Sequence, residues 1–415
     1  MSAGARLGRA QRWILSGLVA FAFTSYLVRT NISVASVRMI PALNLTKVEM
    51  GQVFTAFLIG YALFQIVGGA LGDRLGARLT LGISALVWSL TTVATGLWPS
   101  VVAGRPALIF AGLWVFRLAL GLSEATTFPV GNIVVRNWMA PQRRGFGNAV
   151  MFLGTSAASA ATAPLVSWLM IRVGWQRSFY VTAVPPLALA ILWLLLARDH
   201  AGAENAERET PRPRLREAAH IFRQRNAILL IASYVSEGYV LFIFVFWLYI
   251  YLVERRGFSL LNAGWMAAIP WLTALVITPF GGRLCDSIGW RKGRAFGSRV
   301  VITIGYTASG LLLFVAAAVP QRSVAVAALS LSIAGLMAAE AGFWSYAAHL
   351  GREHAGLLSG VMNTAGILGG IVSTSLVPVI VRSAGWVPAL ASGTVMALVC
   401  SAIWFVMRDR PFESA

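Results

Sequence analysis

One ten-residue pattern occurs twice in this 415-residue chain, and its spacing constrains the fold more than any other feature. Gly69-x-Leu71-x-Asp73-x-x-Gly76-x-Arg78 returns as Gly282-x-Leu284-x-Asp286-x-x-Gly289-x-Arg291. All five matched positions share an offset of 213 residues, close to half the chain. Spacing that regular predicts two copies of one fold in tandem. A long apolar stretch ends at each Asp and another resumes after each Arg, which places both copies of the pattern in short loops between membrane spans. A second echo supports the duplication: Val150-Met151 and Gly174-Trp175 recur as Val361-Met362 and Gly385-Trp386, offset by 211. These pairs begin and follow the fifth and eleventh spans. Both spans are rich in small residues (Gly154 and Ser156 to Ala160; Gly366, Gly369, Gly370, Ser373 and Ser375), which predicts close helix packing across an interface between the halves.

Lipid is the solvent that composition requires. The chain is 58% hydrophobic and 12% charged, against roughly 25% charged in soluble domains. A span needs about 20 mostly apolar residues. Twelve such stretches are found, at 13–37, 49–71, 79–98, 107–134, 146–171, 178–197, 227–252, 261–284, 296–318, 324–348, 356–381 and 388–407. The expected architecture is all-α and integral to the membrane: an N-terminal six-helix bundle over 1–197, a cytoplasmic linker over 198–226 and a C-terminal bundle over 227–415. The linker mixes charge with Pro211 and Pro213 and has room for a short surface helix at 214–224.

The formal charge of +19 invites a nucleic-acid reading, but its placement excludes one. With the N-terminus inside, 23 of the 34 Lys and Arg flank the segments on the cytoplasmic side, 9 flank the external side, and Arg29 and Arg117 lie within spans. This is the positive-inside bias, and it puts both termini of an inner-membrane, multi-pass protein in the cytoplasm. Arg6, Arg9 and Arg12 precede an apolar run as in a signal peptide, but the run is long, contains Arg29 and lacks a small-x-small site. It reads as a retained first span. Cys285 and Cys400 give no disulfide or metal pattern, and none of the four histidines lies mid-span. No cofactor and no metal are expected. The partners expected are the lipid bilayer, a small organic anion and protons, with the protein a monomer.

Few charges lie well inside spans: Arg29, Arg117, Glu124, Glu237 and Glu340. Each costs at least about 2.5–3.5 kcal/mol at bilayer depth, so each faces a partner or a cavity. Arg29 offers a permanently charged planar fork suited to a carboxylate. Tyr26 and Ser33 share its helix face. Arg117 and Glu124, seven residues apart, also share a face, about 10.5 Å apart, with Gly121 leaving it open. A carboxylate balanced between burial and a nearby arginine is suited to gain and lose a proton, which makes Glu124 the leading proton carrier. The bland alternative is a permanent salt bridge from Glu124 to Arg29 or Arg117. Glu237 and Glu340 are further proton-site candidates in the second half.

Several segments resemble a known family. The repeated loop is similar to the signature loop of the major facilitator superfamily. Tyr26-x-x-Arg29-Thr30-Asn31-Ile32-Ser33-Val34-Ala35, Gly60-Tyr61-Ala62-Leu63-Phe64-Gln65, Arg117-x-x-x-Gly121-x-x-Glu124-Ala125-x-x-x-Pro129, Trp247-Leu248, Tyr251 to Glu254, Arg256 to Ser259, and Ser359-Gly360-x-Met362-Asn363-x-x-Gly366-x-x-Gly369-Gly370 resemble its anion:cation symporter family. The likeness covers essentially the whole chain. It implies proton-coupled uptake of an organic carboxylate, such as a sugar acid, through a cavity enclosed by two six-helix halves and exposed alternately to each side. Two positions depart from the family pattern: Val28 stands where an Asp commonly precedes the arginine, which removes one usual protonation group, and Tyr249 stands where proline often follows Trp-Leu.

In that reading Arg29 binds the substrate carboxylate, and Tyr26, Tyr61, Gln65, Tyr239, Phe343, Trp344 and Asn363 shape the site. Glu124, Arg117, Glu237 and Glu340 serve proton coupling. Gly69, Asp73, Gly76, Arg78, Arg144, Asp286, Gly289 and Arg291 belong to the gate: the aspartates are expected to accept from helix N-termini, and the arginines, with Arg143, to pair with carboxylates and latch the halves. Positions 213 residues beyond Arg29, Arg117 and Glu124 are Phe242, Ser330 and Met337, so the first half is expected to couple and the second to shape the site. Rival readings are an exporter of drugs or acidic metabolites, a transporter-like sensor, and an intramembrane enzyme; the last lacks any HExxH or GxSxG motif.

Overall fold

The computed structural model describes residues 8–199 and 223–407, and they are helical throughout, with no strand. Most of the linker, including the expected helix at 214–224, lies outside the described residues. We number the helices α1 (Arg9–Ala42), α2 (Lys47–Leu75), α3 (Ala77–Val101), α4 (Pro106–Trp138), α5 (Arg144–Val173), α6 (Trp175–Leu196), α7 (Arg225–Glu254), α8 (Leu260–Lys292), α9 (Arg294–Ala318), α10 (Arg322–Gly351), α11 (Ala355–Ala384) and α12 (Trp386–Val406). Eleven are long and apolar enough to cross a membrane, and α2, bent by 54° between Gln65 and Val67, makes the twelfth.

Two compact units divide the chain, Met1–Thr210 and Pro211–Ala415. In the first, α1 packs on α5, α2 on α4 and α3 on α6. In the second, α7 packs on α11, α8 on α10 and α9 on α12, the same set six helices later. Glycines set these contacts. A Cβ at Gly154 of α5 would overlap the Val19 carbonyl of α1, and one at Gly369 of α11 would overlap the Val235 carbonyl of α7. The small faces of α5 and α11 thus serve packing inside their own units, where backbones approach closely without hydrophobic drive.

Local chemistry fixes the helix ends. Thr46 and Glu49 form a reciprocal capping box at the start of α2, at 3.1 and 2.7 Å. Gly76, at φ 84°, turns α2 directly into α3, and Gly174, at φ 85°, turns α5 into α6; few other residues accept that region. The second copy of the loop pattern differs. α8 runs through Gly289 and stops at Gly293, at φ 99°, about one helical turn beyond the position the 213-residue offset predicts. Asp286, Gly289 and Arg291 are therefore helical, with Arg291 in the last turn, where a cation complements the dipole.

Two spans are interrupted. α4 breaks between Glu124 and Thr127, giving segments Pro106–Glu124 and Thr127–Trp138. Pro129 explains the break: its ring clashes with the carbonyl four residues back, at Ala125, yet its missing N–H costs nothing in a new first turn. α7 carries a π-helical stretch at Ile243–Trp247, a rare geometry that often marks functional sites.

Candidate functional site

The interruption of α4 leaves Glu124 as the last residue of its first segment, fully buried. The Thr127 hydroxyl donates to the Glu124 main-chain carbonyl at 2.8 Å, and the Thr126 and Ser84 hydroxyls lie 2.8 Å apart. The Thr126 hydroxyl also donates to the Ser123 main-chain carbonyl at 2.8 Å, so the two threonines satisfy carbonyls that the break would leave open. Opposite, α1 presents Arg29, 5% exposed. Its Nε and Nη2 donate to Glu124 Oε2 at 3.0 and 2.9 Å, and the Ser25 hydroxyl donates to the same oxygen at 2.9 Å. Glu124 Oε1 is buried without a hydrogen bond. One carboxylate oxygen thus collects three donors and the other is left open.

Aromatic rings enclose the cation. The Arg29 guanidinium lies 4.3 Å from the Tyr26 ring centroid, 4.8 Å from Tyr61 and 4.9 Å from Phe57. Such faces attract a desolvated guanidinium. The cage depends on the α2–α4 approach, since a Cβ at Gly121 would overlap the Phe57 carbonyl. Ser25 and Phe57 were missed by sequence reasoning. Ser25 sits four residues before Arg29, on its face, and that spacing was the available signal; Phe57 has only its position one turn before Tyr61.

Arg117 behaves differently from the expectation of a partner for Glu124. Its Nη1 and Nη2 donate to the main-chain carbonyls of Val28 and Arg29, at 3.0 and 2.6 Å. It clamps α4 to the backbone of α1 beside the site and makes no hydrogen bond to the carboxylate. Val28 is fully buried and supplies only this carbonyl. Asn31 donates to Thr182 at 3.1 Å and ties α1 to α6. Gln65, half-buried, lies one turn beyond Tyr61 on α2.

The second unit holds a separate cluster. Glu340 Oε1 accepts from the Tyr234 hydroxyl and from Trp344 Nε1, both at 2.6 Å. Glu340 Oε2 is buried with no hydrogen bond. Glu237, one turn after Tyr234 on α7, is 3% exposed, with its Oε2 beside Gly366 of α11. No cation among the described residues pairs with either carboxyl. Phe343 is fully buried among Tyr234, Tyr306 and Trp404 and packs this unit's core. The Tyr239 hydroxyl is engaged with Ser392 at 2.7 Å. Trp344 is 41% exposed, and Asn363 is half-buried one turn before Gly366 on α11. The second unit therefore carries its own acids within the spans, Glu237 buried and Glu340 half-buried, beyond the shaping role expected of it.

At the loop pattern, Asp73 faces Arg136 at 3.5 Å, and Asp199 Oδ1 accepts from the Arg78 main-chain N–H at 3.0 Å. The helix N-terminus is thus capped by Asp199 at the end of α6, in place of Asp73. The Arg78 side chain donates to the Leu194 carbonyl at 2.9 Å and not to a carboxylate. Gly69 faces Pro129, and Arg144 opens α5. Asp286 and Gly289 line a cavity of about 410 Å³ with Cys285, Trp290, Arg294 and Ser345.

Residues 18–374 match the family model described as Major Facilitator Superfamily. The hexuronate transporter of Bacillus subtilis (strain 168) is 29% identical over 360 residues, covering 83% of each chain. The D-galactonate transporter of Escherichia coli O6:H1 (strain CFT073) is 27% identical over 429 residues, covering 95% of each chain. In three dimensions the chain is similar to a crystal structure of a bacterial homologue of the human lysosomal transporter Spinster, with a TM-score of 0.82 over 97% of both chains at 16% identity.

Proposed function

The chain belongs to the Major Facilitator Superfamily, and from that premise we propose that it takes up a small organic carboxylate, of the sugar-acid class, together with protons. The observation that carries the reading is the Arg29–Glu124 pair at the break of α4. A buried arginine with one carboxylate partner has two ways to stay compensated: the protein's own carboxylate, or that of a substrate. Glu124 Oε1, buried and free of hydrogen bonds, has capacity to take a proton. Protonation of Glu124 removes its claim on Arg29, whose planar fork then accepts the incoming carboxylate. Departure of the anion returns Arg29 to Glu124 and expels the proton. Anion and proton therefore load together and leave together, which is symport. Tyr26 and Tyr61, with rings against Arg29, place phenolic groups suited to the hydroxyls of a sugar acid.

Similarity to hexuronate and D-galactonate transporters supports the substrate class. Arg117 holds α1 and α4 in register so that the exchange of partners occurs at fixed geometry. The test is uptake of labelled uronates and aldonates into proteoliposomes under an imposed pH gradient. Uptake that needs Arg29 and follows the gradient supports the reading; carboxylate uptake that is unchanged in Arg29→Ala removes the anion site.

A further inference from the structure

We infer that Glu237 and Glu340 share one proton and form a second proton-binding site, confined to the second unit. Glu340 of α10 is tied to α7 by the Tyr234 hydroxyl, one turn before Glu237, and one repeat length of 213 residues before the two acids stand Thr24 and Thr127, close to the Arg29–Glu124 pair that bridges α1 and α4. The two units thus place charge at equivalent helix crossings, but the first balances its carboxylate with arginine and the second does not. Neither the buried Glu237 nor the buried Oε2 of half-buried Glu340 has a cation beside it among the described residues; two such carboxylates repel, and one bound proton relieves them. Neutral donors already hold Glu340 Oε1, from Tyr234 and Trp344. Tyr306, from α9, is fully buried, its hydroxyl has no hydrogen bond, and its ring packs edge-on against Phe343, which in turn packs on Tyr234. The second unit therefore retains a buried hydroxyl with no hydrogen bond in the aromatic core around the two acids. Cys400 of α12 is a buried free thiol, and α11 presents Gly366 beside Glu237.

The step is a simple protonation. An O–H bond forms on one carboxyl, the pair's charge changes from −2 to −1, and loss of the proton to water reverses it. Coupled to transport, this proton adds to the one on Glu124; that consequence rests on the transport reading, whereas the shared proton does not.

Infrared spectroscopy of the full-length protein in nanodiscs tests it, by the carbonyl stretch of a protonated carboxylic acid. The wild type should show such a band near neutral pH. It should persist in Glu124→Gln, vanish in the Glu237→Gln/Glu340→Gln double variant, and be indifferent to sodium. A wild-type spectrum identical to that of the double variant, or a band abolished by sodium at constant pH, overturns the proposal. Proteoliposome measurements of the proton-to-anion ratio add a second readout: the ratio should fall by about one in Glu340→Gln, and an unchanged ratio contradicts a transported proton at this site. If no carboxylate is taken up yet the band behaves as stated, the substrate reading fails and the proton pair stands.

Discussion

Glu124 holds Arg29 through a single carboxylate oxygen: the arginine's Nε and Nη2 converge on Oε2 at 3.0 and 2.9 Å, and Oε1 is buried without a hydrogen bond. The pair is compensated in charge but incomplete in hydrogen bonding. Such an arrangement gives the carboxylate somewhere to accept a proton and gives the arginine reason to find another anion when it does.

Replacing Glu124 with Gln keeps the shape and removes the proton. Each coupled proton supports about a tenfold accumulation of substrate per pH unit of gradient. In Glu124→Gln the contribution of this proton should disappear while anion exchange across the membrane persists. Counterflow and gradient-driven uptake, measured on the same vesicles, separate the two.

Arg29→Lys should weaken anion binding by at least about tenfold, or ~1.4 kcal/mol, because an ammonium lacks the planar fork. Titration of substrate followed by intrinsic tryptophan fluorescence reads this. Arg29→Ala leaves a buried carboxylate unpaired at a cost of roughly 3–5 kcal/mol. Adding Glu124→Gln should recover most of the lost melting temperature, so the double variant should melt above the single one.

Pro129 creates the break that ends a helix segment at Glu124. Pro129→Ala restores a main-chain donor and removes the clash with the Ala125 carbonyl. The variant should melt higher and transport several-fold more slowly, since a continuous α4 rotates Glu124 away from Arg29. Faster or unchanged transport, with a higher melting temperature, would separate the break from function.

Gly121→Ala introduces a Cβ onto the Phe57 carbonyl, which is backbone and cannot swing aside. Destabilisation of about 1–3 kcal/mol is expected, as for other overpacked contacts. The displaced α2 should also loosen the ring cage of Phe57 and Tyr61, raising the substrate concentration for half-maximal uptake. Thermal melts and uptake kinetics check both.

Much of this was legible in the residues. The 213-residue repeat foretold two helical units, and the cost of burying charge singled out Arg29, Arg117, Glu124, Glu237 and Glu340. Helical spacing alone put Tyr26 on Arg29. What sequence did not carry was the identity of partners. Arg117 binds the carbonyls of Val28 and Arg29, and a carbonyl has no signature in a sequence. Asp199, far from the loop pattern in the chain, caps the α3 N-terminus that Asp73 was expected to cap, because α6 delivers it there. The end of α8 at Gly293 shows a related limit: a conserved spacing of residue types across the repeat does not fix which glycine takes the left-handed turn. The break of α4 was written in Pro129, but only its position one turn after Glu124 gives it meaning.

The exchange of partners by Arg29 is tested most directly by the protons that accompany binding. Purified protein in weakly buffered solution is mixed with a carboxylate that a thermal-shift panel identifies as a ligand, and the pH change is followed with an indicator dye. Proton uptake in step with anion binding, lost in Glu124→Gln, is the expected result. Anion binding with the same proton uptake in wild type and Glu124→Gln, or with none in either, would contradict it.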